Sequence, residues 1–310
     1  MIPFLLRRVL YSIPVILGVA LIVLFLFDVA GGDPIQIKLG KNPDPIDVAE
    51  LRVEMGQDKP FFGKYVDFLG QIATVDFGTS WFTETPIRTI FARGIVPTLS
   101  LTMPAFLLGA GIAVALALLV AFYRGSMLDK AMTLLAIAAI SISSLVYILV
   151  LQWLLADRWK LFPIWGYERG LGSLTFIVLP ILIWVLLSVG TDMRYFRTVA
   201  LEEIGRDYVR TARSKGVAEG KILFTHVLRN CAIPIVTRCA IIVPFLITGS
   251  FLLEIFFGIP GLGTVLYESI KSSDLPVIKA FTMLGTVLYI VFNVVADILY
   301  AALDPRIRLS

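Results

Sequence analysis

The sequence predicts an all-α integral membrane protein with six transmembrane helices, a long outer loop between helices 1 and 2, and a polar cytosolic loop between helices 4 and 5. Three observations carry this. Of 310 residues, 58% are hydrophobic and only 16% charged, with a mean hydropathy of +0.87, too little polar surface for a soluble domain. Six apolar stretches approach the ~20 residues a helix needs to cross a bilayer. Lys and Arg concentrate in alternate connecting segments, which six spans place on one side, as the positive-inside rule requires.

The six stretches are 9–27, 99–122, 131–156, 173–189, 233–253 and 277–301, within a single domain over 1–310. The first follows Arg7 and Arg8 like a signal peptide, but its apolar run is long and Asp28-Val29-Ala30 suits cleavage poorly, so it reads as a retained span. Arg7 and Arg8, then Arg124 and Lys130, the basic residues of the fourth loop, and finally Arg306 and Arg308 share one side if the spans number six. Both termini are therefore expected in the cytosol.

The outer loop, 31–96, contains turn signals at Gly31-Gly32-Asp33-Pro34 and Asn42-Pro43-Asp44-Pro45. Helical spacing predicts short helices over Ile46–Met55, with Ile46, Ala49 and Val53 on one face, and over the aromatic Phe61–Ile72. They read equally well as a lid or docking surface and as a structural cover. In span two Ala105, Gly109, Ala113, Ala117 and Ala121 recur every four residues, a stripe that lets another helix approach closely. Ser141, Ser143 and Ser144 sit mid-way along span three, where bonding to their own helix backbone is the first reading and pore lining the second. Arg238 is expected to snorkel from span five, and Glu254 and Lys279 to lie at outer helix ends. No ionisable residue falls clearly at mid-depth, which argues against a proton- or sodium-coupled carrier. Phe257–Gly263 permits a tight re-entry of the chain, with a short helix over Thr264–Ile270.

The coupling loop, 191–232, holds Arg194, Arg197, Arg206, Arg210, Arg213, Lys215, Lys221 and Arg229. Ala200–Gly205 and Asp207–Lys215 are expected as two short helices, with Gly216 ending the second. Such a loop fits either an anchor on anionic lipid or a docking helix for a cytosolic partner. Gly216–Ile222 imitates a phosphate loop, but has three residues between its glycines and isoleucine after Lys221. No catalytic, cofactor or metal site is expected: His226 stands alone, and Cys231 and Cys239 read as small apolar residues. The net charge of +4 lies in loops between apolar runs, which points to a membrane and not to nucleic acid.

Arg197, Glu202, Asp207-Tyr208-Val209-Arg210-Thr211-Ala212-Arg213, Lys215-Gly216, His226-Val227-Leu228-Arg229-Asn230 and Pro234 resemble the cytoplasmic signature loop of ABC importer permeases. Arg210-Thr211 in place of Glu-Ala, and the later Pro234, resemble the peptide and nickel branch; Cys231 replaces a common alanine. Leu6-Arg7-Arg8, Gly32-Asp33-Pro34, Asp76–Ser80, Pro97-Thr98-Leu99, Glu254, Phe257–Gly263 and Asp304–Arg308 extend the resemblance along the chain, to a B-type subunit. It implies a type I ABC importer permease fold in a bacterial inner membrane. It also implies a second, C-type permease, two cytosolic ABC ATPase subunits that hydrolyse the ATP, and an extracytoplasmic solute-binding protein. ATPase coupling is expected through Asp207, Tyr208, Arg210, Arg213, Lys215 and Gly216. The implied cargo is di- or oligopeptides; the alternatives are nickel, an opine or an antimicrobial peptide. A secondary transporter and a membrane scaffold without transport are the alternatives of other class.

Overall fold

The computed structural model describes residues 2–29, 35, 39, 44–168 and 170–303. The turn signals at 31–34 and 42–43, and the tail motif at 304–308, lie outside them. Among the described residues five helices are long and apolar enough to cross a membrane, and two bent helix pairs meet the same test together.

Helix α1 (Ile2–Val29) is the first apolar stretch. The outer segment forms α2 (Pro45–Glu54) and α3 (Phe61–Thr74), close to the expected ranges. Asp44 caps α2 by accepting from the Ile46 N–H at 3.0 Å. The apolar face of α2 stays exposed at Ile46 and Val53, whereas α3 buries Phe68 against Ala20 and Val23 of α1. The Tyr65 hydroxyl donates to the Leu17 carbonyl at 3.0 Å and fixes that contact.

Helix α4 (Ile87–Phe122) and helix α7 (Ser173–Ile204) make the most extensive helix pair. The stripe of small residues explains it: Ala105, Gly109, Ala113, Ala117 and Ala121 are all buried. At Gly109 an added methyl would come 2.8 Å from the Ser188 hydroxyl of α7, which would have to turn away.

The third apolar stretch is not a straight span. Helices α5 (Met127–Ser141) and α6 (Ser144–Leu151), the latter continued by the π-helical Gln152–Arg158, meet at 93°. Ile142 and Ser143 are extended, with ψ of 132° and 142°. The Ser141 hydroxyl donates back to the Ile137 carbonyl at 2.9 Å, and the Tyr147 hydroxyl crosses the bend to the Ala139 carbonyl at 3.1 Å. The Tyr147 bond satisfies a carbonyl that the broken ladder leaves free, and the Ser141 bond is a back-bond within α5.

The fifth stretch is also revised. A helical lead-in, Glu219–Lys221 and the π-helical Ile222–Val227, runs into α9 (Leu228–Thr248). The helix stops there because Gly249 turns at φ +88°, so Leu253 belongs to the next element, α10 (Phe251–Phe257). Helix α11 (Leu262–Ser272) leaves α10 at 88°, giving the re-entry expected from the glycines and proline. Helix α12 (Leu275–Leu303) closes the fold, tied to α1 by the ion pair of Arg8 with Asp297.

Candidate functional site

The polar loop departs from the expected pair of short helices in one respect. Ala200–Gly205 is no separate helix; it is the last turn of α7, which runs unbroken from the apolar span to Ile204. Only α8 (Asp207–Ser214) stands alone. Only Gly205 and Arg206 separate α8 from the end of α7.

Helix α8 has two faces. Val209 is fully buried, and with Ala212 it packs into a cluster that includes Leu118 and Ala121 of α4, Ala200 of α7 and Ile222, Leu223 and Val227 of the lead-in. Asp207 and Arg210 point outward, joined by a loose 3.7 Å pair whose side chains are 96% and 76% exposed. Such a pair contributes almost nothing to stability, which leaves both groups available. Thr211, Ser214, Lys215 and Gly216 are also exposed.

The other two site residues are engaged within the chain. The Tyr208 hydroxyl donates to Glu203 Oε2 at 2.9 Å; burial pushes it up to about 12, and the Glu203 carboxylate adds to the shift, so it remains a donor. The Arg213 guanidinium holds Glu219 through two bonds of 2.6 and 3.0 Å, and that hydrogen bonding raises its pKa further above its ordinary value. Gly216 ends α8 at φ +73°, where its N–H reaches the Arg213 carbonyl at 2.9 Å and the Val217 N–H reaches Ala212 at 3.2 Å. This is a left-handed helix cap, not a phosphate cradle. The structure thus gathers all six predicted residues on one short segment, with Asp207, Arg210, Lys215 and Gly216 outward and Tyr208 and Arg213 bracing it.

Sequence reasoning missed the braces beneath α8. Arg197, on the last turns of α7, takes both oxygens of Asp129 at 2.8 Å, and Asp129 also accepts from the Gly125 N–H at 2.9 Å. This locks the α4–α5 turn to α7. The only hint was an acidic residue one turn into α5, after the Ser126 cap.

Arg238, expected to snorkel, is held by a partner on α7. Its Nε donates to Asp192 Oδ1 of α7 at 3.0 Å, and its guanidinium lies 6.0 Å from the Tyr195 ring centroid. The pair edges a cavity of about 360 Å³ between α4, α6, α7, α9 and α10. Ser144 lines this cavity as well, so among the three serines of the third stretch one bonds its own helix and one faces a cavity.

Glu254, just beyond the end of α9, lies fully buried. It accepts from Thr98 Oγ1 at 2.9 Å and the Thr264 N–H at 3.1 Å, while Thr98 accepts from the Leu262 N–H at 2.7 Å. The knot joins α4 to both halves of the bent pair. At the other end of α11 Asp274 accepts from Ser80 Oγ at 2.5 Å and the Trp81 N–H at 3.2 Å, tying the outer segment to the start of α12.

These features define a polytopic α-helical membrane protein in which one long helix, α7, lines an open cavity and leads into a mostly exposed polar helix. Residues 113–309 match the family of binding-protein-dependent transport system inner membrane components, and residues 1–102 match the N-terminal family of such membrane components. The chain belongs to that family and is a membrane permease component of a transport system. It is 34% identical over 309 residues to a putative peptide transport system permease protein of Brucella abortus, covering 98% of each chain. It is 31% identical over 312 residues to the oligopeptide transport system permease protein AppB of Bacillus subtilis, covering 98% of this chain and 99% of AppB. It is 32% identical over 308 residues to the glutathione transport system permease protein GsiC of Salmonella typhi, covering 99% of each.

Proposed function

We propose that this chain is the B-type pore subunit of an ATP-driven importer of di- or oligopeptides. The observation that carries the reading is the mounting of α8. Its buried residues pack on the lead-in Ile222–Val227 in a cluster shared with α4 and α7, and its outward face, Asp207, Arg210, Lys215 and Gly216, offers a polar surface to a partner. In this reading α8 is the coupling helix, seated in a cleft of one of two cytosolic ABC ATPase subunits. Closure of those subunits on ATP pushes α8. Because α7 continues into the span without a joint, the push rotates the spans and alternates access to the pore.

A C-type permease completes the pore, and a solute-binding protein delivers peptide to the outer side, where α2 and α3 lie. Both termini and α8 face the cytosol. Relatives along nearly the whole chain are named for peptide, oligopeptide and glutathione transport, which supports peptide cargo over nickel or an opine. ATP hydrolysis belongs to the ATPase partners; this chain carries the pathway and receives their motion.

The test is uptake of a labelled tripeptide by proteoliposomes holding both permeases and both ATPases, with binding protein on the far side. Uptake should require ATP and survive a protonophore. Uptake that persists without ATP and collapses with the proton gradient would establish a secondary carrier instead.

A further inference from the structure

We infer that Arg238, oriented by Asp192, contacts the free C-terminal carboxylate of a peptide passing through the cavity between α4, α6, α7, α9 and α10. This rests on the peptide-importer reading and assigns one point of the pathway to named side chains.

A charge placed among apolar spans is costly and is retained where it pairs or faces a polar path. Arg238 is paired with Asp192, and the two supply the charge in a cavity whose walls are otherwise mostly apolar. Asp192 Oδ1 takes the Nε of Arg238 at 3.0 Å, and among the described residues it is the one carboxylate in ion-pairing distance. A guanidinium has five N–H donors in a rigid fork. Fixing Nε to Asp192 sets the plane of the fork and leaves the Nη edge, which can take a second carboxylate with two parallel bonds. The Arg238 side chain is 35% exposed while Asp192 is 9% exposed, so the arginine is the accessible member and the aspartate the support. Both residues line the cavity, whose walls also carry the hydroxyls of Ser144, Ser188 and Thr191.

The chemistry suits a transient contact. Asp192 neutralises the guanidinium, so an arriving carboxylate meets a pair of no net charge and is held by hydrogen bonds without a full counter-charge. A pathway requires attraction strong enough to admit the cargo and weak enough to release it. The cavity volume, about 360 Å³, suits the end of a peptide and falls within the range of small-ligand pockets. Asp192 is accordingly a positioning residue.

The test uses the complete importer in proteoliposomes with its binding protein, and compares a tripeptide with its C-terminal amide. Each variant is expressed relative to wild type on the same peptide, which cancels the binding protein's own preference. Arg238→Gln should lower the maximal uptake rate of the free-acid peptide roughly tenfold, the loss of one charge-assisted pair, and that of the amide less than about twofold. KM, set by the binding protein, should stay unchanged. Asp192→Asn should shift the acid-to-amide ratio in the same direction by a smaller factor. Arg238→Lys keeps the charge without the fork, should lie between wild type and Arg238→Gln, and provides the readout if Arg238→Gln does not assemble. Equal losses on both peptides, or none on either, overturn the inference and leave the importer reading intact. Failure of the wild-type complex to take up either peptide overturns the importer reading, and this inference with it.

Discussion

Gly216 closes α8, and its geometry allows a clean perturbation. A methyl group built on it meets no atom within 4 Å, so Gly216→Ala changes the backbone preference and nothing else in the folded state. At φ +73° an L-residue other than glycine costs about 1–2 kcal/mol, which multiplies the opening of the last turn roughly five- to thirtyfold. Gly216→Asn, which tolerates that conformation, should cost a few tenths of a kcal/mol. Hydrogen exchange followed by mass spectrometry on peptides over 206–217, in the assembled complex in nanodiscs, reads this directly. The amides of Gly216 and Val217, bonded at 2.9 and 3.2 Å in the native cap, should exchange faster in the alanine variant and near the native rate in the asparagine variant. Peptides from α4 and α7 should not change. If alanine and asparagine behave alike, the left-handed cap is not what holds the end of α8.

Arg197→Ala removes both charge-assisted bonds to Asp129. Full breakage of a buried pair costs ~3–5 kcal/mol, and with Arg197 23% exposed roughly 2–3 kcal/mol is expected, visible as a lower Tm of the purified complex. An unchanged Tm would show that the α4–α5 turn is held otherwise. At Gly261 an added methyl would overlap the Glu254 carboxylate and the Thr98 hydroxyl, so Gly261→Ala should destabilise by about 1–3 kcal/mol and loosen α10 from α4. Limited proteolysis between α10 and α11 would detect it, and native resistance would contradict the knot.

Much of this fold was legible because membrane physics leaves few choices. Four of the six apolar stretches fall within single long helices and most of the fifth does, and the four-residue repeat from Ala105 to Ala121 is the contact that brings α4 onto α7. The stop at Gly216 was readable from a helical pattern meeting a glycine. The bends were not. Nothing in the hydropathy of 131–156 marks Ile142 as extended, since lipid and protein interior are equally apolar and the local serines decide the break. Charged partners were hidden for a different reason. Arg238 and Asp192 are 46 residues apart, and Arg197 and Asp129 are 68 apart, separations that only the packing of α7 brings together. Glu254 reads as a helix-end residue until the turn between α10 and α11 folds back over it.

The account turns on the outward face of α8 as the point where ATPase motion enters the membrane. Asp207 and Arg210 are the residues to change, because they are exposed and make only the loose 3.7 Å contact with each other. The measurement is peptide-stimulated ATP hydrolysis by the reconstituted complex carrying Asp207→Ala and Arg210→Ala together. The two permeases should remain folded and paired, while stimulation by peptide and binding protein falls at least tenfold and uptake falls with it. Stimulated hydrolysis and uptake at the wild-type level would contradict the account.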